Sequence, residues 1–177
     1  MRTCFSSFGR VLLGMLSMVI IAGAFGCLPN DISHKSDAEM IANFRAKEAQ
    51  FEHLLQMVIL DEKSVGDRLF RIDYDWTEPK DLEAIGISDE RVAEYRRLFN
   101  EFGVPRGFYA YGKGDVYYFI ASSQGLAVSG SSKSYVWRRE PPEYLVNEDI
   151  KEHVLKNETS RAYRHIQGKW YLSFEAD

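Results

Sequence analysis

Helical periodicity early in the chain and strand periodicity later in it predict an α+β domain, with N-terminal helices packed on one face of a mostly antiparallel sheet. Three observations carry this reading. Met40, Phe44, Phe51, Leu55 and Val58 recur at steps of three, four and seven, with Arg45, Glu48 and Glu52 between them, the spacing that puts one apolar stripe on a helix. From residue 70 to 76 the period changes to two, Phe70, Ile72, Tyr74 and Trp76 alternating with Arg71, Asp73 and Asp75, as in a strand with one buried face. Beyond Gly107 the chain is a series of short β-rich runs separated by glycine and serine.

The elements follow in order. Ser36-Asp37-Ala38-Glu39 has the spacing of a capping box, in which a hydroxyl and a carboxylate each satisfy an orphan amide at a helix start, so a long helix is expected from there. A strand over 70–76 comes next. A second helix starts near Ser88, with Asp89 and Glu90 in its first turn, and stops at Gly103 and Pro105. It presents Val92, Tyr95, Leu98, Phe99 and Phe102 on one side and a charged ladder on the other. Strands are expected over 108–111, 116–121, 126–128 and 135–138, with turns at 112–114 and 124–125 and a polar loop over Ser129 to Ser134. A short helix over 147–156 and a terminal hairpin of 161–166 with 169–174 complete the meander. Residues 116–120 are apolar without alternation, which predicts a central strand covered on both faces, or a tyrosine-rich contact surface if one face is open.

The region before the first helix is of a different kind. Arg2 and Arg10 precede a 15-residue apolar run, 11–25, that ends in Gly26-Cys27. The run is short for a helix that must cross about 30 Å of hydrocarbon and reads as a removable export signal. It resembles the signal of bacterial lipoproteins, which implies cleavage between Gly26 and Cys27 and lipidation of Cys27. Ala24 and Phe25 depart from the usual residues before that cut. Ala22-Gly23-Ala24 also fits the ordinary secretory peptidase, which would release a soluble protein with a free thiol. The expected organisation is a signal over 1–26, the lipidated cysteine and a tether over 27–36, and one domain over 37–177. The tether would span roughly 15 to 18 Å as a random coil. Acyl chains on Cys27 make the membrane the first expected partner. Leu28 after the cysteine implies, by the same resemblance, the outer membrane where the host has two.

Composition excludes several functions. The 22 Lys and Arg face 26 Asp and Glu, and two of the basic residues lie in the signal, so the exported part is acidic and lacks the charge excess that neutralises phosphates. No nucleic-acid partner is expected. Cys4 lies in the signal and Cys27 at the cut, so no intramolecular disulfide is available and packing must hold the fold. His34, His53, His153 and His165 show no HExxH or other close pairing, and neither a metal nor a cofactor is expected. Asp73-Tyr74-Asp75 matches a DxD pair, but alternation alone would put both carboxylates on the open side of a strand.

Three sets of residues remain as candidate surfaces. With a two-residue turn at Gln167-Gly168, one face of the terminal hairpin carries Arg161, Tyr163, His165, Trp170, Leu172 and Phe174 as the core side. The other carries Arg164, Lys169, Tyr171 and Ser173 toward a ligand or partner. The run Ser129 to Ser134 offers Ser131, Ser132 and Lys133, which with Arg138 could hold an anion, although it matches neither GxxxxGK[ST] nor SxxK. The segment IASSQGLAVSGSSK over 120–133 and Ala162-Tyr163-Arg164-His165, together with the signal, resemble a group of small bacterial lipoproteins; the resemblance implies no activity. The leading expectation is therefore an anchored envelope protein that binds another envelope protein or a cell-wall glycan through an α+β domain. The rival is a small hydrolase using the Ser129 to Ser134 loop with Lys133, or His165 as base. A third reading is an inhibitor or immunity-type protein.

Overall fold

Ser36 caps the first helix as its spacing requires. In the computed structural model, which describes residues 34–111, 114–126 and 129–176, its side chain accepts from the Glu39 amide and the Glu39 carboxylate accepts from the Ser36 amide. The signal, Gly26, Cys27 and the start of the tether lie outside the described residues. The helix expected as one piece is two, α1 (Asp37–Ala46) and α2 (Glu48–Val65), broken at Lys47. Nothing local forces the break, since every residue around it is a good helix former. It turns the chain so that Phe44 and Phe51 lie with ring centroids 5.1 Å apart, both against Trp170. Helix α3 (Asp89–Phe102) runs from a Ser88 cap to Gly103 in the left-handed region, as predicted, and α4 (Ile150–Asn157) is capped by Asp149.

The strand expected over 70–76 is shorter. β1 (Leu69–Ile72) ends where Asp73 Oδ1 accepts from the amides of Asp75 and Trp76, and the chain turns into β2 (Thr77–Glu78). The DxD pair thus belongs to a turn made by its first aspartate, because Asp bonds its own backbone two residues on. β3 (Phe108–Tyr111) follows as expected. The predicted 116–121 and 126–128 merge into one strand, β4 (Val116–Leu126), and the predicted serine loop is the first half of another, β5 (Ser129–Arg138). β6 (Arg161–Gln167) and β7 (Trp170–Ala176) form the terminal hairpin. Among the described residues the seven strands join one antiparallel sheet in the order β2-β1-β3-β4-β5-β7-β6. The free edge of β6 is covered in part by residues 144–146, which bond Tyr163 on both sides, removing an open template for pairing.

The helices lie on one face of this sheet. Met40, Phe44, Phe51, Leu55, Tyr95, Phe99 and Phe102 meet Phe70, Phe108, Tyr117, Phe119, Tyr135 and Trp170 in one buried cluster. Within it, Phe51 packs on Tyr135 with ring centroids 4.6 Å apart. Each such ring contributes on the order of 1.5–3 kcal/mol by leaving water. Two bulges set which residues reach this face. At Ala121 the β4–β5 register slips, so Ile120 faces Ser134 and Ser122 faces Lys133. A second slip at Ile166 pairs His165 with Tyr171 and Gln167 with Trp170. The simple two-residue turn expected from the sequence paired His165 with Trp170 instead. The bulge reverses the faces of β6: Ala162, Arg164 and Ile166 join the helix side, and Arg161, Tyr163 and His165 the other.

Candidate functional site

The face away from the helices carries a second, smaller buried cluster of Tyr118, Val136, Tyr163 and Tyr171, with Tyr109 and Val116 against it. A hollow of about 440 Å³ opens beside it, lined by Tyr109 and Tyr111 of β3, Asp115 just before β4, Val116 and Tyr118 of β4, Arg161 of β6 and Glu175 of β7. Side chains from β3 and from β6, four steps apart in the sheet, line one space, so this face is concave. The right-handed twist of a large antiparallel sheet, accentuated by bulges, produces such a curl.

The polar groups of the hollow form a chain. Tyr109 and Tyr118 stack with centroids 4.5 Å apart at 12°. The Tyr118 hydroxyl lies 3.3 Å from that of Tyr163, which accepts from Arg138 Nη1 and Arg161 Nη1, each at 3.3 Å. Arg161 Nε pairs with Glu175 at 2.7 Å. Burial pushes the Tyr109 hydroxyl far above its ordinary value, with the Glu175 carboxylate adding to it. Burial and then the bond to Tyr163 do the same to Tyr118. Both stay protonated and can donate at any physiological pH. Tyr111, at 62% exposed, forms the rim. The charges at the rim and wall, Arg161 against Glu175 and Asp115, leave one negative charge in excess. Such a hollow suits a ligand with flat apolar faces and many hydroxyls better than a strong anion.

The residues singled out in the sequence are dispersed. Lys133 is 1% exposed on the helix side; its ammonium lies 2.6 Å from Asp37 Oδ1, an ion pair rather than an aligned hydrogen bond, and donates to the Lys35 carbonyl at 2.8 Å. Arg164, expected toward solvent, reaches the same carboxylate through Nη1 at 3.2 Å. Asp37 Oδ2 also accepts from the Ile150 amide at 3.1 Å, tying α1 to α4. The lysine of the serine run is thus committed to a buried ion pair and is not free as a base. Tyr171 lies on the concave face as expected but is buried as a member of the tyrosine cluster. Lys169 is exposed in the hairpin turn, its Nζ 5.4 Å from the Trp137 ring centroid. His165 is exposed, with Nε2 3.1 Å from the Gly168 carbonyl, rather than buried beside Trp170. Arg138 packs its guanidinium 5.3 Å from the Tyr163 centroid and donates to the Tyr163 hydroxyl at 3.3 Å. Ser132 faces the concave side, beside Ser123, Arg71 and Asp73.

One group was missed by sequence reasoning. His34, taken as an isolated histidine, is 7% exposed. Its Nδ1 lies 2.6 Å from Ser122 Oγ and its Nε2 2.8 Å from Ser131 Oγ, and its ring stands edge-on to Phe174 at 5.1 Å. Burial first, then the charges of Lys151 and Lys133, lower its pKa to about 4. The serines stand 88 and 97 residues away in the chain, and no local pattern announces the contact. Among the described residues, no group of three or more His, Cys, Asp and Glu is gathered as metal ligands, and no helix is long and apolar enough to cross a membrane.

Fold and site together define the class: a single α+β domain with one helix-covered face and one concave, tyrosine-lined face that holds a hollow. No protein-family model, curated protein or solved structure matches the chain.

Proposed function

We propose that the protein is an exported envelope lipoprotein, anchored through acyl chains on Cys27, whose domain binds a cell-wall glycan in the hollow of its concave face. The observation that carries the binding half is the hollow itself. Three tyrosines offer ring faces and hydroxyls, and the Arg161–Glu175 pair offers one donor and one acceptor group with little net charge. Sugar rings present the complementary surface, apolar C–H faces edged by hydroxyls. The anchoring half rests on the basic start, the 15-residue apolar run and Gly26-Cys27, and on the acidic balance of the rest, which leaves acyl chains as the means of membrane attachment.

Two measurements test the halves separately. Titration of soluble peptidoglycan fragments, followed by calorimetry and by NMR of the tyrosine rings, should give saturable binding that Tyr111→Ala and Tyr118→Ala weaken at least tenfold. Tyr111 is largely exposed, so its variant should melt with the wild type. Absence of binding at millimolar fragment, or binding indifferent to both substitutions, refutes the glycan reading. Intact-mass measurement of the membrane-extracted protein should show a chain starting at an acylated Cys27; a chain starting at Phe25 refutes the anchor.

A further inference from the structure

The helix-side end of the β4–β5 hairpin holds an arrangement unrelated to the hollow. Ser131 and Ser122 lie on the same side of the sheet because of the Ala121 bulge, and His34 sits between them with both ring nitrogens in hydrogen-bond reach. Ser131 and His34 both line an open depression of about 350 Å³, together with Gly125, Gly130, Lys151 and Phe174. Gln124, paired with Ser131 on the same side of the sheet, also lines the depression, and the Gly125–Gly130 pair beside it contributes only backbone. This combines a hydroxyl, a base that touches it, a third group that orients the base, and an accessible space beside the hydroxyl. That is the geometric signature of an activated nucleophile.

We propose that Ser131 is a nucleophile for acyl transfer, with His34 as its general base and Ser122 as the residue that positions His34, acting on short-chain carboxylic esters. In this assignment Nδ1–H of His34 donates to Ser122 Oγ, which leaves Nε2 free to accept the Ser131 proton. As Oγ bonds to the ester carbonyl carbon, its proton passes to Nε2 and the carbonyl oxygen becomes an oxyanion. Lys151, the cation lining the depression, faces that charge. The C–O bond to the leaving alkoxide then breaks, and His34 returns its proton to the leaving group. Water repeats the sequence on the acyl-Ser131 ester, giving its proton to Nε2, and releases the carboxylic acid and the free serine. The substrate class follows from the walls: Leu155, Phe174, Ala176 and the two glycines, with Gln124 as the one neutral polar side chain beside Ser131 and His34, suit a short apolar acyl group and offer no carboxylate to hold a cationic one. His34 is neutral at physiological pH, so the base form is always present. It is also a weak base, so acylation is slow, and a covalent adduct is easier to see than turnover.

The experiment is reaction of the purified protein with a fluorophosphonate and, separately, with p-nitrophenyl acetate, followed by intact-mass measurement and peptide mapping. A single adduct on Ser131 is expected, absent in Ser131→Ala and absent when the protein is unfolded in urea before reaction. Ser132, on the opposite face of the same strand, is the internal control. His34→Ala should slow labelling at least 100-fold, the lower range of general-base effects. Ser122→Ala, which keeps the base and loses its orientation, should slow it about tenfold, and this variant decides the point if His34→Ala does not fold. The wild-type rate should stay level from pH 8 to about pH 5 and fall toward pH 4. No adduct, equal labelling of Ser132, or a rate unchanged in Ser122→Ala overturns the assignment.

Discussion

Replacing Lys133 with methionine tests the most consequential difference between sequence and structure. Lys133 and Asp37 are each 1% exposed and 2.6 Å apart. Methionine fills most of the space of the lysine stem and removes the charge, leaving the Asp37 carboxylate buried without its closest cation. Breaking a buried pair from one side costs about 3–5 kcal/mol. Asp37 keeps Arg164 at 3.2 Å and the Ile150 amide at 3.1 Å, and Arg164 is one-third exposed, so the lower end applies, about 3 kcal/mol. At roughly 3 °C per kcal/mol for a domain of this size, the melting temperature should fall by about 9 °C, read by calorimetry and by urea unfolding at pH 7.5. A second substitution sharpens the test. Asp37→Asn in the Lys133→Met background removes the stranded charge, and the pair should recover at least half of the loss because the two sites are directly coupled. A fall of under 2 °C, or strictly additive losses, would refute the buried pair and return Lys133 to a solvated loop.

Two further predictions rest on particular geometries. The His34 imidazole is held neutral to about pH 4 in the fold, against 6.5 for the free side chain, so protonation favours the unfolded chain. Its contribution is complete above about pH 6.5 and is lost as the pH falls toward 4. Between pH 7.5 and 4.5 it amounts to on the order of 2 kcal/mol, read as the difference between wild type and His34→Gln in urea unfolding; equal acid sensitivity of the two proteins would contradict it. Gly107 has φ +72°, and a Cβ there would lie 2.0 Å from the Ile72 carbonyl oxygen, whereas Gly86, at φ +85°, has open space around it. Gly86→Ala should cost about 1–2 kcal/mol through backbone strain alone. Gly107→Ala should cost well over that, because β1 must move, and thermal melts showing equal shifts would refute the close approach.

Local signals carried most of the helices and few of the strand boundaries. Ser36 with Glu39, and Ser88 with Gly103, announce helix ends because their partners lie within four residues. The Lys47 break leaves no such mark; it answers to Phe44, Phe51 and Trp170 meeting across more than a hundred residues of chain. Alternation over 70–76 misled because Asp73, in phase with a strand, bonds the amides that follow it and ends the strand. The serine run was read as a loop because small polar residues favour turns, yet here they are strand residues between β4 and β7, where pairing on both sides outweighs propensity. The bulges at Ala121 and Ile166 have the widest effect, since a slip of one residue moves every later side chain to the other face. They carry Arg164 to Asp37 and Ser122 to His34, contacts that no spacing within one strand can reveal. The concave hollow was legible only in part: the tyrosine concentration over 109–118 was visible, but its closure by Arg161 and Glu175 depends on the curl of the sheet.

The alternation within β5 separates the readings that the serine run had joined. Ser131 and Lys133 point to the helix side, toward His34 and Asp37, while Ser132 and Ser134 lie on the concave side. Neighbouring positions thus belong to different physical systems: a hydroxyl in reach of a base, a concave-face side chain, a buried ion pair, and again the concave face. A loop would have let these groups converge on one ligand; a paired strand forbids it, because successive Cβ atoms point to opposite sides. The anion site assembled from Ser131, Ser132, Lys133 and Arg138 therefore cannot exist as a unit, and what replaces it is two independent places. The glycan reading depends on Tyr111, Tyr118 and Arg161, and the acyl-transfer reading on Ser131 and His34, with no residue in common. Loss of either leaves the other standing, and the Asp37–Lys133–Arg164 cluster serves both by fixing the start of the domain to the sheet.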